Sequence, residues 1–258
     1  MTRQASKRCR TPLETVSILG IPISRAGFDE ALQLCEERVN TKQGGYVCLA
    51  NVHTVTESTR YPALADALKN AYLSLADGMP LVWVSRWKHN PVKTRVCGPD
   101  LTREFLLRHP ETSMGFVGGR PGQGDDLARR FSLKNTTSYA TPIRPFSPEN
   151  AQEDWRNFIS RCPNQQAPSV VWIGLGAPKQ ELWARTISPL APQTLFFAVG
   201  AAFDFLTDTK KRAPLWMQKS GLEWFYRLAQ EPRRLAKRYL TTNFEFVGKV
   251  TLELLKNN

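Results

Sequence analysis

Long apolar runs are missing from this 258-residue chain. No stretch approaches the roughly 18 consecutive apolar residues that a membrane-spanning helix needs, so contact with a bilayer is expected from one side only. Cysteine is scarce and poorly spaced for pairing. The five (Cys9, Cys35, Cys48, Cys97, Cys162) are odd in number and never form a C-x-x-C pair, which argues against a disulfide framework or zinc site and fits a reducing cytoplasm. Histidine is rarer still. His53, His89 and His109 lack ligand spacing and no Asp-x-Asp follows a strand-like run, so a metal-centred mechanism lacks its residues and no cofactor is expected. There is no Gly-x-Ser-x-Gly elbow. After its basic start the chain continues with the polar "TPLETVS", so no signal peptide is expected.

What is present is a body able to bury a core, with 41% hydrophobic residues, and an uneven charge. Of the formal net +12, residues 1–10 supply +4 and residues 209–258 supply +7, from eleven Lys and Arg against four Glu, leaving the body near neutral. A basic tail on a neutral body points to a local task at the C-terminal end, whereas a nucleic-acid wrapper spreads cations over its binding face.

Short apolar runs rich in β-branched and aromatic residues recur, each followed by a turn residue and a helical pattern. "TVSILGI", "YVCLAN", "YLSLADG", "MGFVGG", "VVWIGLG" and "TLFFAVG" read as buried strands, with helices predicted near 27–41, 61–71, 79–88, 99–108, 122–133, 149–161 and 178–187. This alternation predicts an α/β fold, Rossmann-like, with a largely parallel sheet. A loop is expected around Pro142, Pro145 and Pro148. After Phe205 strands stop, and three short helical stretches are expected, broken at Gly221 and Pro232. The domain reading is a flexible basic tail at 1–12, an α/β body at 13–208 and a helical appendage at 209–258.

Ligands of open parallel sheets bind beyond the carboxyl ends of the strands. That rule selects Asn51, Asp77-Gly78, Gly118-Gly119, Gly174-Leu175-Gly176 and Gly200, although glycines there also serve tight turns. Asp77, between an apolar strand and an apolar helix start, reads either as an N-cap or as a partly desolvated base, roles that can coexist. In "GLGAPKQELW", Lys179 and Gln180 fall in a first helical turn where N–H groups and the helix dipole favour an anion. Asp204 is the other strand-end carboxylate on this rim. In the tail, "GLEWFYRLAQEPRRLAKRY" interleaves aromatics with Arg227, Arg233, Arg234, Lys237 and Arg238. This suits a surface helix with its apolar stripe inward, or a cationic face for diphosphate and anionic head groups.

The strings "YVCLANVHTV", "LADGMPLVW", "RVCGPDL", "GFVGGRPG", "VWIGLGAPKQELW", "AVGAAFDFL" and "KRAPLWMQKSGLEWFYRLAQEPRRLAKRY" resemble, in order and spacing, the WecG/TagA/CpsF glycosyltransferase family over roughly residues 14–245. The resemblance implies a GT-E fold and a peripheral enzyme on the cytoplasmic membrane surface. Such an enzyme moves a sugar from a UDP-sugar to an undecaprenyl-diphosphate-linked sugar, inverting and without metal, in teichoic acid, common-antigen or exopolysaccharide assembly.

It implies Asp77 as base, Asn51 and Arg95 beside it, and Gln180 in the site. It also implies a diphosphate grip by Arg227, Arg234 and Lys237 or Arg238, with Arg212 as a further cation. Gly118, Gly119, Gly174, Gly176, Lys179 and Asp204 complete the expected donor side. Leu49-Ala50-Asn51 departs from the Thr-Pro-Asn of many members, leaving N-acetylmannosamine and another hexose such as glucose both open as donor sugar. Homo-oligomerisation stays open as well. A non-catalytic nucleic-acid module, the remaining alternative, lacks any recognised motif.

Overall fold

The computed structural model describes residues 13–256, apart from the side chains of Lys219, Arg234 and residues 237–240. The basic tail expected at 1–12 lies outside the described residues. In chain order the elements are β1 (Thr15–Ile18), β2 (Ile21–Ser24), α1 (Phe28–Asn40), β3 (Gly45–Ala50), α2 (Val52–Ser58), α3 (Pro62–Lys69), β4 (Leu73–Ala76), α4 (Met79–Trp87), α5 (Gly98–Arg108) and β5 (Met114–Gly118). They continue with α6 (Gln123–Arg130), β6 (Thr136–Tyr139), α7 (Pro148–Ile159), β7 (Val170–Gly174), α8 (Lys179–Ile187), β8 (Leu195–Ala198), α9 (Ala202–Leu206), α10 (Leu215–Lys219), α11 (Glu223–Gln230) and α12 (Pro232–Lys256).

The strands form one eight-stranded sheet in the order β1-β2-β4-β3-β8-β7-β5-β6. Only the β1–β2 pair is antiparallel. The expected α/β fold with a largely parallel sheet is therefore what the chain adopts. β1, β2 and β4 lie on one side of the β3–β8 pair and β5, β6 and β7 on the other, the kind of junction at which open α/β sheets bind ligands.

Near-continuous apolar strands are buried on both faces, and neighbouring residues feed opposite cores. Phe197 stacks on Trp172 with ring centroids 4.3 Å apart, and Phe105 of α5 meets the same tryptophan edge-on at 5.5 Å. The adjacent Phe196 turns the other way, to Trp155 of α7 at 5.6 Å and Trp183 of α8 at 6.0 Å. Each fully buried aromatic contributes about 1.5–3 kcal/mol.

Four elements differ from the sequence expectation. "TVSILGI" is not one strand: Leu19 and Gly20, at φ 49° and 78°, turn it into a hairpin of the two-residue kind that needs positive φ at both positions. β6, "TTSY", carries almost no apolar signal because it is the sheet's edge. α2 is short and β-branched, and is held by a capping box in which Asn51 Oδ1 accepts from the Thr54 N–H and Thr54 Oγ1 from the Asn51 N–H. The third C-terminal helix is long, 25 residues from Pro232, because it packs along α2 and buries Leu235, Phe246 and Val250. Glu253 fixes its end to the body, pairing with Lys88 at 2.8 Å and accepting from the Leu19 N–H at 3.2 Å.

Candidate active site

Five adjacent strands, β4, β3, β8, β7 and β5, end on one rim, and beyond them opens a cavity of about 700 Å³, in the range of small-molecule sites. Asn51, Asp77, Gly78, Gly119, Gly174, Leu175, Gly176, Gln180, Gly200 and Asp204 line it, and so does Arg95, from the loop before α5. Glu223, Trp224 and Arg227 of helix α11 line it as well, as do Thr242, Asn243 and Phe246 of α12. The tail therefore folds over the strand ends carrying Asp77.

Three carboxylates line this cavity, and they differ in their partners. Asp204 is paired with Lys210 at 3.1 Å and accepts from Gln123 Nε2 at 3.1 Å. Glu223 is paired with Arg95 at 3.1 Å. Asp77 has no ion pair among the described residues. Its pKa is pushed up to about 7, mainly by burial, with Glu223 adding to the rise, while the neighbouring Cys97 thiol and the fields of Arg95 and Arg227 act to lower it. Asp77 does not cap α4: Gly78 is the N-cap and no side chain caps that helix.

The cations divide too. Arg212 forks onto Asp100, with one bond of 2.8 Å, and also donates to Cys97 Sγ at 3.3 Å. It lines a smaller neighbouring cavity instead of the main one. Lys179 turns its amine to the Arg144 carbonyl at 3.3 Å and does not line the cavity. Arg227 does line it, its guanidinium 5.6 Å over the Phe205 ring. Arg95 is largely buried, with 14% of its side chain exposed. The side chains of Arg234, Lys237 and Arg238 lie outside the described residues.

The glycines allow close approach. A Cβ on Gly174 would sit 2.6 Å from the Phe203 ring, and one on Gly119 would sit 2.6 Å from Gln123 Oε1. Their neighbour Gly118 abuts Leu175 and does not line the cavity. The N–H groups of Gly119 and Gly176 are already used, donating to the Gly174 carbonyl at 3.1 Å and to Gln180 Oε1 at 3.1 Å. Gln180 also donates to the Ala198 carbonyl at 3.2 Å and to Glu181 Oε1 at 3.0 Å. It thereby ties the ends of β7 and β8 together.

Sequence reasoning did not single out Cys97, Gln123, Glu181 or Glu223. Cys97 and Glu223 sit inside motifs that carried the resemblance, and Gln123 follows the glycine-rich turn, but none announces its partner in one dimension. Among the described residues no group of three or more His, Cys, Asp or Glu is placed to hold a metal ion, and no described helix is long and apolar enough to cross a membrane.

The profile of the Glycosyl transferase WecG/TagA/CpsF family matches residues 16–258. The chain is 26% identical over 247 residues, 95% of its length and 92% of the relative's, to a Bacillus subtilis (strain 168) protein. That relative is named N-acetylglucosaminyldiphosphoundecaprenol N-acetyl-beta-D-mannosaminyltransferase.

Proposed function

Because the chain belongs to the WecG/TagA/CpsF family and is a glycosyltransferase, we propose that it transfers a hexose-type sugar from a UDP-sugar to a sugar carried on a polyprenyl diphosphate, with inversion. N-acetylmannosamine, the sugar in the relative's name, is the leading donor. The observation that carries the reading is that Asp77 alone among the cavity carboxylates has no ion pair with a described residue.

A sugar hydroxyl is a poor nucleophile until a positioned base takes its proton. Asp77 accepts that proton as the acceptor oxygen bonds to the anomeric carbon. The bond from that carbon to the UDP oxygen breaks on the opposite face, and the electron pair leaves with the diphosphate. Arg95 and Arg227 meet the charge that develops there. The Asn51 amide nitrogen, which has no hydrogen-bond partner among the described residues, supplies a further donor. Gln180 acts by positioning, since its amide is already bonded to both strand ends. Trp224 and the first turn of α11 shield the reacting carbon from water.

Leu49 lines the cavity as an apolar wall. It offers no hydroxyl to an N-acetyl group, and this favours a second donor reading, UDP-glucose or another hexose. Access to a lipid-borne acceptor is supported by exposed Leu215, Trp216 and Phe225 on α10 and α11, together with Trp83 and Trp87 on α4. Such side chains suit a membrane interface.

Mass spectrometry of the product formed from a panel of UDP-sugars and a short-chain polyprenyl-diphosphate glycan tests the proposal. One added hexose or N-acetylhexosamine, lost in Asp77→Asn, is expected. Full transfer by Asp77→Asn would remove Asp77 from its role.

A further inference from the structure

The ionic arrangement of the cavity wall is asymmetric. Arg212 grips Asp100 with both terminal nitrogens, and neither residue lines the main cavity, so that fork lies behind the site and not in it. Glu223, by contrast, is held at two single points. Its Oε2 takes one bond from Arg95 Nη1 at 3.1 Å, and its Oε1 a long one of 3.4 Å from Arg212 Nε.

Glu223 opens α11, only two turns long, which reaches the site from the C-terminal segment. Its side chain is 14% exposed, as is that of Arg95. Two largely buried charges thus satisfy each other on the lining of the cavity that also holds Asp77.

A lone guanidinium in such a place would be costly, and a carboxylate beside it offsets the cost. A phosphate group is the better partner: it offers several oxygens that a guanidinium can take two at a time, where Glu223 takes a single N–H. We propose that Glu223 is a resident counter-anion, a positioning residue that holds Arg95 in the substrate-free enzyme and yields it to the phosphate oxygens of an arriving diphosphate. Glu223 shares one short helix with Trp224 and Arg227, so yielding Arg95 removes one of the ties that α11 makes to the rest of the site. The inference rests on the glycosyltransferase reading given above, and a diphosphate is common to both the nucleotide donor and the lipid acceptor.

Calorimetric titration of the full chain with UDP, and separately with farnesyl diphosphate, tests it in wild type and in Glu223→Gln, which keeps the shape and an acceptor for Arg95 but removes the charge. The variant is expected to bind at least one of the two ligands more tightly than wild type, by about fivefold or more. The ligand that gains identifies whose phosphates take Arg95. Glu223→Ala provides a second, independent reading and is expected to change affinity in the same direction.

A residue that merely braces Arg95 predicts the opposite sign, so weaker or unchanged binding of both ligands in the folded variants overturns the proposal. If wild type and variants alike bind neither diphosphate, the functional reading itself falls, and this inference with it.

Discussion

The N–H of Asp77 donates to the carbonyl of Ala50 at 2.7 Å. This bond continues the β3–β4 ladder by one step, so Asp77 and Asn51 leave adjacent strands side by side, and the acid stands on the last rigid point of the sheet. A catalytic group placed there is positioned by the core instead of by a loop.

The pH dependence of transfer follows from that placement. A base must be ionised to act, and burial pushes Asp77 up to about 7, so kcat/KM is expected to climb as pH rises through about 7 and to level off above it. Arg95 and Arg227 lower this pKa while Glu223 raises it, so Glu223→Gln should move the rising limb to lower pH. Asp77→Asn should lower kcat by about a hundredfold or more while UDP affinity is kept. A rate independent of pH from 5 to 9 in wild type would contradict Asp77 as base.

How much of this was written in the chain can be judged from particular residues. Buried parallel strands announce themselves as apolar runs bounded by turn residues, and the strand-end rule selects Asn51, Asp77, Gly78, Gly119, Gly174, Leu175, Gly176 and Gly200, which line the cavity, together with Gly118, which does not. The hairpin at Leu19-Gly20 was hidden because leucine rarely takes positive φ, and β6 because an edge strand has little to bury. Long-range pairings were the other blind spot. Arg212 carried a charge that suited phosphate, but only the folded chain brings Asp100, 112 residues earlier, against it. Lys179 sat in the right turn of the right helix, yet a four-carbon stem let its amine reach the Arg144 carbonyl instead of the cavity.

Glu181 provides a stability test independent of catalysis. It is fully buried; one oxygen accepts from Gln180, the other has no partner, and burial pushes its pKa up to about 7. The unfolded chain releases this proton near the ordinary value of 4.5 and the folded chain only near 7, so ionisation favours unfolding as pH rises between those values. Wild type should therefore lose on the order of 2 kcal/mol relative to Glu181→Gln between pH 5 and pH 8. Urea unfolding of both proteins at the two pH values checks this. A constant difference would mean that Glu181 does not carry a raised pKa.

Arg212 should behave as a fastener of the appendage. Its fork onto Asp100 and its bond to Glu223 link α5, the segment before α10 and α11. Arg212→Ala is expected to speed proteolytic cleavage within residues 209–231 several-fold and to leave the α/β body protected, because the sheet and its two cores make no use of this side chain. Limited proteolysis with identification of the cut sites distinguishes this from global destabilisation, which would expose the body as well.

The exposed aromatic surface gives the remaining prediction. Trp216 and Phe225 are 62% and 55% exposed, and Trp87 of the neighbouring α4 is 63% exposed. A Cβ on Gly221 would sit 3.2 Å from the Trp83 ring, so the α10–α11 turn packs closely on α4, the helix that carries Trp83 and Trp87. Burying such side chains at a bilayer interface contributes through apolar area, and neighbouring Lys and Arg add about 1 kcal/mol each near an anionic leaflet. Binding to vesicles containing phosphatidylglycerol should therefore exceed binding to neutral vesicles, and it should weaken with salt without vanishing. The double variant Trp216→Ser, Phe225→Ser should lose most of what salt leaves, while transfer to a water-soluble acceptor analogue stays near the wild-type rate. Undiminished vesicle binding by that variant at high salt would mean that this face does not meet the membrane.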